Sequence, residues 1–151
     1  MSKLKTPITP CLWFDNQAKE AAEFYCSIFP NSRITSTSPL IASFNLDGNS
    51  FVALNGGPKF KFSEAISFQV ICEDQDEVDF YWDAFTKHGG EESMCSWCKD
   101  KFGLSWQVIP KRFLELMSSG NSFQVQRVTE AMLKMRKLII SDLEHAFNTR
   151  S

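Results

Sequence analysis

The amino-acid sequence predicts an α+β chain made of two βαβββ modules and a C-terminal helical tail. Three observations predict it. The chain repeats itself: EFYCSIF at 23–29 matches DFYWDAF at 79–85 without a gap, at an offset of 56 residues, and GNSF at 48–51 stands opposite GLSW at 103–106, at an offset of 55. Each repeat carries one helically spaced segment among short β-prone runs. Beyond Pro110 the apolar spacing is helical to the end of the chain.

The first module opens with a β-prone run at 8–14. Asp15 or Asn16 is placed to cap the next helix by accepting from its first free N–H groups. Ala21, Phe24, Tyr25 and Ile28 follow helical spacing, and Pro30 and Asn31 stop the helix. Residues 33–37, 41–46 and 51–54 read as short strands, with Asp47-Gly48 as the tight turn between the last two. After a linker at 55–63, the second module starts with a strand at 65–72. Asp74 or Asp76 caps a helix carrying Val78, Phe80, Tyr81 and Phe85, which Gly89-Gly90 ends. Residues 93–98 and 104–109 are strands around a turn at 99–103.

In the tail, Pro110 suits the first position of a short helix through Met117, where its missing N–H costs nothing. Gly120-Asn121 breaks that helix. Val125, Val128, Met132, Met135 and Ile139 then form a narrow apolar stripe, and Ser141-x-x-Glu144 resembles a capping box, so a break near 138–140 is expected. The stripe serves either packing on the chain's own sheet or a dimer clasp.

The 151 residues are one domain's worth, with module one at 6–57, module two at 63–110 and C-terminal helices at 111–148. A content of 43% hydrophobic and 23% charged residues is ordinary for a globular chain, but 14 Phe and 4 Trp are many. Aromatics thicken cores and line small-molecule pockets. A net charge of −2 argues against a nucleic-acid surface, and Lys134, Arg136 and Lys137 read as a solvated helix face. The first seven residues have no apolar core, so no secretory signal is expected. No apolar run approaches the roughly 18 residues of a membrane helix. The expected location is the cytoplasm, with the five cysteines reduced.

The segments TPCLWF (9–14), FVALNGGP (51–58), FKF (60–62), EAISFQ (64–69), EVDFYW (77–82) and WCKDKFGLSWQVIP (97–110) make this chain resemble the vicinal-oxygen-chelate, or glyoxalase/bleomycin-resistance, superfamily. The resemblance is to its PhnB-like branch, which has carried a demethylubiquinone methyltransferase label, and the helical tail also fits. It implies two half-open barrels with the helices outside, and a homodimer. In metal-dependent members it implies His, Gln or Glu ligands on the first and last strands of each module. The stretch at 34–41 is shorter than the branch pattern. No strand runs into a Gly-rich loop and helix with an acid downstream, so methyl transfer has no support in the residues.

Carried over, the superfamily's ligand positions fall on Pro10 or Cys11, Val52 or Ala53 with Asn55 beyond, Ser67 with Gln69 beyond, and Gln107. None is a carboxylate or an imidazole, and His88 and His145 read as surface residues. No resident metal or other cofactor is expected. Cys95-x-x-Cys98 lies in an expected strand, where a spacing of three puts the thiols on opposite faces and argues against redox chemistry. Glu91-Glu92 and Asp74-x-Asp76-Glu77 read as loop and helix-start acids. The candidate pocket consists of Trp13, Asn55, Phe62, Gln69, Trp97, Trp106 and Gln107, although alternation forbids Trp106 and Gln107 from facing the same way. The leading expectation is a small organic ligand in an aromatic cleft. The alternatives are a lyase, isomerase or dioxygenase recruiting a divalent metal, and a structural or interaction dimer. Neither nucleic acid nor membrane is expected as a partner.

Overall fold

A computed structural model describes residues 3–150. The chain divides into two compact units, one ending at Phe62 and one starting at Ser63. Each holds one four-stranded mixed sheet, and the two strand orders are equivalent.

The first unit runs β1 (Cys11–Phe14), α1 (Ala18–Ile28), β2 (Arg33–Thr37), β3 (Ile41–Leu46) and β4 (Asn49–Asn55). Its sheet order is β1-β4-β3-β2, with β1 parallel to β4 and the other pairs antiparallel. Asp47 and Gly48 both have positive φ, +48° and +83°, as a two-residue hairpin of this twist demands. The cap of α1 differs from expectation. Gln17 is the N-cap and makes no side-chain cap bond. The N–H of Ala18 instead donates to Asn55 Oδ1 at 2.8 Å, so the end of β4 supplies the acceptor that Asp15 and Asn16 were expected to supply. Alternation sends Leu12, Phe14, Ala42, Phe44 and Ala53 onto Ala21, Ala22 and Tyr25 of α1.

The second unit runs β5 (Phe68–Cys72), α2 (Gln75–Thr86), β6 (Glu91–Glu92), β7 (Trp97–Lys99) and β8 (Ser105–Pro110), then the tail helices α3 (Lys111–Ser119), α4 (Ser122–Leu133) and α5 (Ile140–Asn148). Its sheet order is β5-β8-β7-β6, with β5 parallel to β8. Asp74 caps α2 by accepting from the Glu77 N–H at 2.9 Å. Glu91 and Glu92 form an edge strand rather than a loop. The strand expected at 93–98 shrinks to β7, because Cys95 and Ser96 take left-handed backbone at φ +58° and +79°. Cys95 therefore lies in a loop, and strand alternation does not govern it.

The inner face of this sheet is aromatic. Trp106 stacks on Phe85 at 4.5 Å between centroids and lies 5.7 Å from Phe68. Trp82 is buried beside them and donates to Glu92 Oε1 at 2.7 Å. The Asp100 carboxylate is 2% exposed and accepts from the N–H groups of Phe102 and Leu104 and from Trp106 Nε1. A buried carboxylate is tolerable when several donors replace its water.

The tail packs mainly on itself. Leu116, Val128, Leu138 and Leu143 form a buried cluster, with Met132 and Met135 half-buried against it. The stripe at 125–139 thus fills a small helical core of the tail's own, and Val128 at 0% exposure is closed to a partner. The capping box is at Asn121 and Gln124, which exchange bonds of 2.9 and 3.0 Å, while Ser141 lies inside α5. Among the described residues, no helix is long and apolar enough to cross a membrane.

Candidate functional site

The face of the second sheet turned away from α2 carries the site. Cross-strand register sets its rows. Gln69, Gln107 and Trp97 stand in one row, and Ser105, Lys99 and Glu91 stand in the next. Gln107 Nε2 donates to Ser67 Oγ at 2.8 Å, and Gln69 Nε2 approaches Gln107 Oε1 at 3.5 Å. The amides thus orient one another in a chain across the parallel strands.

Beside this row lies a hollow of ≈ 420 Å³, lined among others by Glu64, Glu91, Met94, Cys95, Trp97 and Ser105. That volume suits a small organic molecule. Lys99, also on the wall, binds Glu64 at 2.6 Å. The lysine's hydrogen bond holds the Glu64 carboxyl below the usual carboxylate range, and Glu64 holds the Lys99 ammonium above its own. Both side chains are partly in water, so the pair fixes orientation more than it stabilises the fold.

Ser105 is the anomaly of this face. It is 0% exposed, and its Oγ has no hydrogen-bond partner. Among the described residues it is the single buried side-chain oxygen or nitrogen so placed. Leaving a hydroxyl unsatisfied costs about 1–3 kcal/mol, and such a group calls for a reason. Because the hydroxyl is sealed from the hollow, a ligand supplies the missing partner only where the side chains that cover it move aside.

The residues named from sequence are distributed as follows. Trp97 lines the hollow, and Gln69 and Gln107 flank it. Trp106 points the other way, into the aromatic core, and its N–H is held by Asp100. The remaining three belong to the first unit. Asn55 is occupied at both ends of its carboxamide, accepting from Ala18 N and donating to Pro39 O at 3.0 Å. Trp13 donates to Gly57 O at 2.9 Å, and its ring lies against Gly56 so closely that any Cβ there would collide with it. Phe62 packs edge-on against Phe14 at 5.3 Å. Sequence reasoning missed Ser105, Lys99 and Glu64, and weighed Cys95 only as half of a redox pair. Alternation offered a signal for two of them, since it places Lys99 beside Trp97, and Ser105 beside Gln107, on one face.

The metal-ligand positions of the resembling superfamily do not assemble a donor set. Cys11 pairs with Val52 across β1 and β4. Asn55 is a helix cap, and Ser67, Gln69 and Gln107 form the amide chain. Among the described residues, no three His, Cys, Asp or Glu side chains come together. Amides and a hydroxyl are poor ligands for a divalent ion, so these residues do not fit a resident catalytic metal. His88 and His145 are exposed. All five cysteines are free, and burial pushes the Cys72 and Cys98 thiols up to about 12.

A family model described as 3-demethylubiquinone-9 3-methyltransferase matches residues 6–109. A PhnB protein from Bacillus cereus that bears the same methyltransferase label is 30% identical, with a TM-score of 0.63 over 70% of this chain and 99% of its own. A protein from Pseudomonas aeruginosa is 17% identical, with a TM-score of 0.57 over 70% of this chain and 98% of its own. An Arabidopsis thaliana gene product is 21% identical, with a TM-score of 0.52 over 70% of this chain and 99% of its own. The last two likenesses show the fold alone. No curated protein sequence matches this chain. The family match stops at residue 109, so α3, α4 and α5 lie outside it.

Proposed function

This chain belongs to the 3-demethylubiquinone-9 3-methyltransferase family, the PhnB-like branch of the glyoxalase/bleomycin-resistance superfamily, and on that premise we propose that it binds a small organic molecule in the hollow of its second sheet. The observation that carries this reading is the unpartnered hydroxyl of Ser105, buried in the wall of a ≈ 420 Å³ hollow. Around it the site offers an aromatic wall in Trp97, an apolar one in Met94, amides at Gln69 and Gln107, and charge at Lys99 and Glu91. Such a mixture recognises a body with an aromatic or apolar part and a few polar atoms. The reading needs no resident metal, because the donor set lacks carboxylates and imidazoles at the converging positions. It does not include methyl transfer. Neither β1–α1 nor β5–α2 has a glycine in its connection, where a nucleotide-type cofactor loop would place several. A homodimer in the cytoplasm completes the reading.

Native mass spectrometry of gently purified protein, paired with a thermal-shift screen of small organic compounds, tests it. The expected result is dimer mass with a retained or selectable compound whose stabilisation disappears in Trp97→Ala. Failure to retain or select any compound would sink the binding reading. Metal analysis and a thermal-shift series in nickel, zinc, manganese and iron test the metal-free part. A stoichiometric ion in the purified protein would overturn it.

A further inference from the structure

We infer that the C-terminal tail is a positioning element for this hollow: residues 133–136 set where Met94 and Cys95 stand, and so help to choose the ligand. The ligand consequence rests on the binding reading above, but the positioning itself does not.

The loop at 93–96 forms one wall of the hollow through Met94 and Cys95. Two successive non-glycine residues there, Cys95 and Ser96, have positive φ. Such backbone persists only where the surroundings hold it. Part of what holds it is the loop's own closure, Trp97 N to Met94 O at 3.1 Å and Ser93 N to Trp97 O at 3.0 Å. A bond from Val108 N–H to Ser96 O at 2.9 Å ties it to β8, and the tail supplies further bonds. The Cys95 N–H donates to Met135 O at 2.8 Å, the Ser96 N–H donates to Arg136 O at 3.0 Å, and the Cys95 thiol reaches Leu133 O at 3.7 Å. Arg136 also pairs with Glu92 at 3.5 Å, at the base of the loop.

The connector between α4 and α5 is itself anchored to α2. Gln75 grips it from both sides, donating Nε2 to Leu138 O at 3.1 Å and accepting the Ile140 N–H on Oε1 at 2.8 Å. Lys137 binds Asp79 at 2.8 Å. The wall of the site is therefore fastened to the connector, and the connector to α2. The connector's half of this fastening lies outside the family match, and the Bacillus cereus protein is 99% accounted for by 70% of this chain. The sheet of the site is family inheritance, whereas this wall depends on an element beyond the family match.

The test uses the full chain and needs no ligand. Cys95 is alkylated with iodoacetamide, and its rate is read by peptide mapping beside those of buried Cys72 and Cys98. In Gln75→Ala, which loosens the connector, Cys95 should react about tenfold faster, the size of effect two lost hydrogen bonds produce, while Cys72 and Cys98 keep their rates. In Arg136→Ala/Lys137→Ala, which cuts only the two ion pairs, the acceleration should be about threefold. The double variant decides the matter should Gln75→Ala not fold. An unchanged Cys95 rate overturns the inference, as does a parallel rise at all three cysteines, which would report general loosening. Faster Cys95 with no ligand ever found would leave the positioning intact and defeat the binding reading alone.

Discussion

Ser50 and Ser105 stand at equivalent places in the two repeats, 55 residues apart, yet they meet opposite fates. Ser50 is exposed, and its hydroxyl donates to Asn45 Oδ1, across the strand pair, at 3.2 Å. Ser105 is sealed from water and unpartnered, and Lys99, opposite it on β7, is turned to Glu64 instead. The rows around them diverge in the same sense. On the first sheet, the face away from α1 carries Cys11, Val52 and Ser43 in one row and Trp13, Leu54 and Ile41 in the next. On the second, Gln69, Gln107 and Trp97 occupy the row that answers to the first of these. The first sheet's face has a polar row too, Ser50, Asn45 and Arg33, but its hydroxyl is satisfied within the sheet, whereas the second copy adds amides in the neighbouring row and leaves a buried hydroxyl without a partner. The lesson is that strand order and register are inherited as a unit, whereas chemistry is set residue by residue on the face that the helix does not cover.

The inner faces offer the largest test of this contrast. Trp106→Ala should lower unfolding stability by about 3–5 kcal/mol, because it empties the stack on Phe85 and strips Asp100 of a donor. Its repeat counterpart Phe51 is only half-buried, stacked on Phe44 at 5.6 Å, and Phe51→Ala should cost about 2 kcal/mol. Denaturant midpoints of the two variants read the difference, and equal losses would break the contrast between the cores.

The helix caps come next. Asn55→Ala should cost about 1–2 kcal/mol, since one carboxamide both caps α1 and holds Pro39. Asp74→Ala, which removes a local cap of α2, should cost about 1 kcal/mol. The same denaturant titration separates them.

Ser105→Ala carries the prediction with the most telling sign. It should raise stability by about 1 kcal/mol, because a methyl group replaces a hydroxyl that has no partner, while any ligand selected by the screen binds more weakly. Ser50→Ala, on the exposed face, should change stability by no more than about 0.5 kcal/mol. A destabilised Ser105→Ala variant would mean that the hydroxyl is satisfied within the folded chain, and the argument for a ligand would lose its anchor.

The last test is a pH dependence. Glu64 lies below its ordinary range in the folded chain because Lys99 holds its charged form. A depressed carboxyl contributes stability above its ordinary value and loses it as pH falls through the depressed one. Glu64→Gln should therefore lower stability slightly at neutral pH, leave strongly acid pH unchanged, and so flatten the acid limb of the stability profile. At the other end, Cys72 and Cys98 have thiols raised to about 12, so stability should decline as pH climbs from the ordinary thiol range toward that value. Thermal midpoints from acid to alkaline pH measure both limbs.

Much of the fold was legible in the chain because local rules decide it. The repeat of EFYCSIF in DFYWDAF, the Asp47-Gly48 turn, the Asp74 cap and the strands at 33–37 and 41–46 depend on backbone geometry and alternation within a few residues. The family signature spread over residues 9–110 belongs to the same category, and it brought the two-module fold with it. Tertiary structure decided what depends on groups far apart in sequence. Asn55 caps a helix 37 positions away, which no local pattern announces. The left-handed turn at Cys95 and Ser96 breaks an expected strand because carbonyls at Met135 and Arg136 hold it. Trp106 looked like a pocket wall but is core, since register with Phe68 and Cys98 sets its face. Of the candidate site, residue type marks Trp97, Gln69 and Gln107 in the sequence. It does not mark Ser105, because a serine becomes notable only when its neighbours bury it and none of them turns to meet it.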